Sequence, residues 1–143
     1  MKVIFLDIDW VLHPFFWDKD FVQKNVNQIL YIVNKTGAKI VISSDWKYWL
    51  LYLYDEWNKT TLPPYVWHTD RGLVHNYEFT DLERIREDEI LRFLKTCEKW
   101  NDNIESWVAI DDMPLKLENF VLIDPSVWIT RSDADKVIKL LNQ

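Results

Sequence analysis

Asp7 and Asp9 close the aliphatic run of KVIFLDIDWVLHP, with a single residue between them. Two further groups stand at the ends of apolar runs: Ser43 and Ser44 after KIVI, and Asp111 and Asp112 after WVAI. Two unit charges ~4 Å apart repel by about 1 kcal/mol in water and roughly 4 kcal/mol at an effective dielectric of 20. Four carboxylates gathered at one place therefore need protons or a metal to neutralise them. Oxygen-only ligands with open coordination positions suit Mg²⁺, which keeps water and substrate phosphate in its shell. A hydroxyl and a cation nearby would then complete a phosphate site. DxD spacing alone is a weak signal. Asp18 with Asp20 and Asp133 with Asp135 repeat it, and both pairs sit beside expected helix starts, as caps or solvated charges.

The elements that must carry these groups follow from periodicity. Lys2 to Leu6, Lys39 to Ile42, Trp107 to Asp112 and Phe120 to Ile123 read as short buried strands. Phe21 to Lys35 reads as a helix through Val22, Val26, Ile29, Leu30 and Val33, with Gly37 at its C-terminal cap. Trp46 to Trp57 is a second, strongly aromatic helix. Ile85 to Trp100 is a third, with Ile90, Leu94 and Cys97 on one face. Ala134, Val137, Ile138 and Leu141 carry a fourth, started by a capping box of Ser132 with Asp135. Residues 58–80, broken by LPPY, form an irregular insert and a possible small cap. Strands alternating with helices imply an α/β sheet, in which ligands gather beyond the C-terminal strand ends. Asp7, Ser43 and Asp111 would meet there.

Composition narrows the classes. At 143 residues and 48% hydrophobic, the chain suits a single domain, 1–143, with a core. Two glycines, Gly37 and Gly72, exclude a Gly-rich phosphate loop. A formal charge of −6 disfavours broad duplex-DNA binding, while a local cationic spot could still hold a phosphorylated small molecule or a nucleic-acid end. Cys97 stands alone, which rules out an intramolecular disulfide and fits a reducing, cytoplasmic setting. No stretch reaches membrane-spanning length, and no obligate protein partner is evident.

FLDIDWVL, VISSDW, the arginine in ERIREDEI, and AIDD together resemble the four signatures of the haloacid dehalogenase (HAD) phosphatase superfamily, in order and over nearly the whole chain. SSDWK, with REDEI ahead of AIDD, is most similar to small HAD domains of nucleic-acid-end repair phosphatases. The resemblance implies a Rossmann-like three-layer α/β sandwich with a mainly parallel sheet, helices on both faces and a minimal cap. It implies a Mg²⁺-dependent phosphomonoesterase acting on a nucleic-acid 3′ end, a nucleotide or another phosphomonoester. Asp7 would be the nucleophile and Asp9 the general acid and base, with the Asp9 backbone carbonyl also a metal ligand. Ser43 would bind the phosphoryl group, with Arg86 as its cation and Arg84 and Lys47 as rivals. Asp7, Asp111 and Asp112 would hold the metal. One position departs: a small residue, usually Gly, follows the second aspartate in the family, and Trp10 stands here. Trp10 leaves open a phosphate-binding module without full turnover, and a metal-dependent nuclease, which also gathers acids at strand ends, is a second alternative. A phospho-receiver has its acidic pair at the first strand and its acceptor Asp on a middle strand; here Ser43 comes before Asp111 and Asp112, which is the wrong order for it.

His13, His68 and His75 lack zinc spacing and read as loop or packing residues. Trp46, Tyr48, Trp49, Trp57, Tyr65 and Trp67 read first as an aromatic packing face and second as a cap wall able to stack a base. Lys95, Glu98 and Lys99 form a solvated face, and Arg71 and Arg131 are isolated cations.

Overall fold

Strand ends in register are what bring distant residues of this chain together. The computed structural model describes residues 1–13, 20–70 and 81–143, the side chain of Tyr48 excepted. β1 (Lys2–Leu6), β2 (Lys39–Ile42), β3 (Trp67–His68), β4 (Ser106–Asp111) and β5 (Phe120–Leu122) form an all-parallel sheet in the order β3-β2-β1-β4-β5. With α1 (Gln23–Thr36), α2 (Leu50–Asn58), α3 (Leu82–Lys99) and α4 (Arg131–Leu141), the architecture is Rossmann-like α/β. Leu6 pairs with Ile42 on one side and Ile110 on the other. The next residues continue that alignment: the Asp7 amide donates to the Ile110 carbonyl at 3.0 Å and the Ser43 amide to the Leu6 carbonyl at 2.9 Å.

Alternation along the strands divides the core in two. Ile4, Leu6, Ile40, Ile42, Val108 and Ile110 face α1, α2 and α4, meeting Val26, Ile29, Leu53, Trp57, Ala134 and Val137. Val3, Phe5, Val41 and Ala109 face the other way, meeting Ile90, Phe93 and Leu94 of α3. Both faces of each central strand are covered, which explains the unbroken apolar runs. Cys97 is buried in α3, as its helical pattern implies. Among the described residues, no helix is long and apolar enough to cross a membrane.

The boundaries differ from expectation in several places, among them α3, which starts at Leu82 rather than Ile85. α1 starts at Gln23, with Val22 extended at its N-cap. α2 is preceded by a 3-10 turn, Asp45–Trp49, started by the Ser44 hydroxyl accepting from the Trp46 amide. Within the stretch expected to be irregular, Trp67 and His68 add an edge strand, so the sheet has five strands where four were legible. Residues 71–80 of that stretch, with Arg71 and His75, lie outside the described residues, as does Asp18. The capping box of α4 is Thr130 with Asp133, not Ser132 with Asp135: Thr130 has the extended backbone of a cap, whereas Ser132 is already inside the helix. Gly37 does end α1 in the left-handed region at φ 69°, its amide donating to Val33.

Candidate active site

The sheet edge delivers Asp7 from β1, Ser43 from β2 and Asp111 with Asp112 from β4. One carboxylate oxygen each from Asp7, Asp111 and Asp112 lies within 4.8 Å of the others. Asp7 and Asp112 are close enough to hydrogen-bond to each other. Arg86 reaches in from the first turns of α3. Its guanidinium donates to Asp111 Oδ2 at 2.6 Å and to the Ser43 carbonyl at 2.7 Å, and stands 3.3 Å from Asp7 Oδ1. Asp45, on the rim, lies 3.8 Å from the same guanidinium.

Burial dominates the electrostatics. Asp7 is 5% exposed and Asp111 2% exposed. Desolvation pushes the carboxyl of Asp7 up to about 7, against the pull of Arg86 and with added repulsion from Asp112 and Asp9. Asp111 is likewise pushed to about 7, by burial and then by Asp7, with Arg86 opposing. Burial also raises Asp112. For Arg86, burial works against the charge, but Asp111 and Asp7 outweigh it and hold the group more firmly protonated. If all three acids ionise, three negative charges face one guanidinium, and two remain uncompensated. A hard divalent cation matches both that excess and the all-oxygen donor set. The acidic cluster could thus bind Mg²⁺ through Asp7, Asp111 and Asp112.

The remaining candidates separate by what their side chains already do. Ser43 Oγ is buried and has no hydrogen-bond partner, the state expected of a hydroxyl awaiting an anion oxygen. Ser44 Oγ is occupied as the cap of the 3-10 turn. Arg84 pairs with Glu87 and lies 3.7 Å from Glu83, turned to the outer side of α3. Lys47 is buried against Glu89 and donates to Thr69 Oγ1 at 3.0 Å. Burial lowers its pKa, with Glu89 opposing. Arg86 is therefore the cation that the geometry brings to the acids. Asp9 stands beside this triad rather than in it: its Oδ1 accepts from the Trp46 indole N–H at 2.8 Å and lies 3.7 Å from His13 Nδ1. Trp10 takes the left-handed backbone at φ 65°, its amide donating to the His13 carbonyl at 2.7 Å. That conformation is why a glycine suits this position.

A family model described as the HAD domain in Swiss Army Knife RNA repair proteins matches residues 3–134, from β1 into α4. The chain belongs to this family. No curated protein and no solved structure matches it. As a HAD domain, the chain carries an acidic triad of Asp7, Asp111 and Asp112 that is consistent with a HAD phosphatase site, as the four motifs imply.

Two contributors to the site of this HAD domain carry no spacing signal. Glu89 lies one turn beyond Arg86 and supplies the counter-charge for Lys47. Trp46 belongs to an aromatic stretch that reads as packing, and it does pack, at 2% exposure with Tyr52 stacked on it. Only the fold reveals that its N–H reaches Asp9. Of the other aromatics, Trp57 is buried, Tyr65 packs edge-on against it, and Trp49 and Trp67 are half exposed. His13 is buried against Phe21 and Trp46, and His68 stacks on Trp67, so neither joins the acidic cluster. Arg131 lies over the Tyr31 ring.

Proposed function

We propose that the domain is a Mg²⁺-dependent phosphomonoesterase that works through an aspartyl-phosphate on Asp7. One observation carries this reading: the Asp7 carboxylate shares a buried space with Asp111, Asp112 and the Arg86 guanidinium, beside an unpartnered Ser43 hydroxyl. Asp7 attacks phosphorus in line, forming an Oδ–P bond as the P–O bond to the leaving alcohol breaks. Asp9, in its acid form, gives the leaving oxygen its proton. Water then forms the new P–O bond, the acyl phosphate breaks, Asp9 takes back a proton and inorganic phosphate leaves. Arg86 offsets phosphoryl charge and Ser43 donates to a phosphoryl oxygen. Asp7, Asp111 and Asp112, with the Asp9 carbonyl, would hold Mg²⁺, which when bound would supply the positive charge that lets a carboxylate approach a phosphate dianion.

The family description, RNA repair, supports a nucleic-acid end as substrate, in particular a 3′-phosphorylated end. Release of inorganic phosphate from a 3′-phosphorylated oligoribonucleotide tests the reading. Phosphate should appear with Mg²⁺, stop with EDTA, and be lost in Asp7→Asn. Cutting at internal phosphodiesters, or undiminished activity in Asp7→Asn, would overturn it.

A further inference from the structure

We propose that Trp46 is a positioning residue for Asp9, fixing which carboxylate oxygen faces the leaving group. The inference rests on the phosphatase reading and deepens it. The indole N–H donates to Asp9 Oδ1 at 2.8 Å, and Oδ2 has no protein hydrogen-bond partner among the described residues. With Oδ1 engaged by the donor, Oδ2 is the oxygen left to face a leaving group, so the side chain presents it in one direction. His13 Nδ1, at 3.7 Å from Oδ1, is too distant to serve as that donor.

Trp46 is built to stay in place. It is 2% exposed, with Tyr52 stacked at 5.3 Å and 26°, Phe21 edge-on at 5.4 Å and His13 at 4.9 Å. Its amide donates to the Ser44 hydroxyl. The turn that follows Ser43 thus reaches across to the loop that follows Asp7 and sets the angle of its acid. Asp9 itself is 27% exposed, so packing alone does not fix its side chain. The N–H supplies the missing constraint.

The step that depends on this is protonation of the leaving oxygen as its bond to phosphorus breaks. An alkyl leaving group, such as a ribose hydroxyl, needs that proton. p-Nitrophenolate, a stable anion, departs without it. Trp46→Phe keeps a ring in the cage and removes the donor. Its kcat/KM, which reports the steps up to release of the alcohol and not the later hydrolysis that Asp9 also serves, should fall about tenfold or more on a 3′-phosphorylated oligoribonucleotide, a fraction of what general acid catalysis supplies, and by roughly threefold or less on p-nitrophenyl phosphate. Tyr52→Leu leaves the N–H but removes the stacked ring. It should show the same bias at smaller size, and it serves alone if Trp46→Phe does not fold. Equal loss on both substrates, or no loss, overturns the positioning role. A wild type inactive on both substrates overturns the phosphatase reading, and this inference with it.

Discussion

Replacing Arg86 by methionine removes the guanidinium between Asp7 and Asp111 and leaves a side chain of similar length. In the wild type without metal, burial raises each of these carboxyls to about 7, from an ordinary value of 3.8. Between those values the folded chain keeps protons that the unfolded chain releases, so stability falls as pH rises through the window. At about 1.4 kcal/mol per pH unit, a displacement of that size opposes folding by on the order of 4 kcal/mol once pH exceeds about 7. Arg86 is what limits it: the guanidinium pulls both acids down. Without it the upper edge of the window moves higher and the decline continues above 7. Breaking a buried pair by removing one partner costs roughly 3–5 kcal/mol when the remaining charge stays ionised. Arg86→Met should therefore be destabilised by about that amount near pH 8 in EDTA. Near pH 5, where Asp7 and Asp111 hold protons, the loss should shrink to about 1 kcal/mol, the scale of one net hydrogen bond. Urea unfolding followed by tryptophan fluorescence at both pH values measures the difference. A gap between variant and wild type that does not change with pH would refute the coupling of Arg86 to these two acids.

The same charges make further predictions. Asp7→Asn removes one buried negative charge, so the metal-free variant should unfold at higher urea than the wild type near pH 8, by about 1–3 kcal/mol, with little gain near pH 5. Mg²⁺ should raise the wild-type midpoint more at the higher pH, because the acids must lose protons to bind it, and proton release measured by calorimetry in buffers of different ionisation heat checks this. Away from the site, a Cβ at Gly37 would meet no atom within 4 Å, so Gly37→Ala isolates the backbone preference and should lower stability by about 1–2 kcal/mol in urea. Thr130→Ala deletes the hydroxyl that accepts from the Asp133 amide and should cost about 1 kcal/mol, visible as a lower melting temperature.

Much of the site was legible because strand ends are strongly marked. Buried parallel strands read as continuous apolar runs, and a polar residue at the end of one is conspicuous. Asp7, Ser43 and Asp111 announced themselves in that way, and the in-register pairing of Leu6 with Ile42 and Ile110 joins them. β3 was illegible because it spans two residues after a Pro-Pro break, and neighbouring main-chain bonds, Val66 to Ile40 and Thr69 to Ile42, hold it to the sheet. The capping box of α4 shifted by two residues because Ser, Thr and Asp occur at both spacings, and only backbone dihedrals distinguish them. Arg86 could not be separated from Arg84 by spacing. Two residues apart on a helix, they point to different sides, and only the placement of α3 decides which meets the acids.

α3 shows how one helix serves two purposes at once. Ile90, Phe93 and Leu94 pack against Phe5 and Ala109 and anchor the helix to the sheet. One turn earlier the same side of the helix carries Arg86, so apolar packing delivers a guanidinium to the strand ends at the depth where water is excluded. Glu89, buried beside it, then takes up the charge of Lys47. Lys47 and Arg86 repel each other. With Lys47 tied to Glu89 and Thr69, the net positive charge left near the acids, among the described residues, is that of Arg86. The Lys47–Glu89 pair thus keeps the site two charges negative rather than one, the condition under which a divalent cation is strongly favoured.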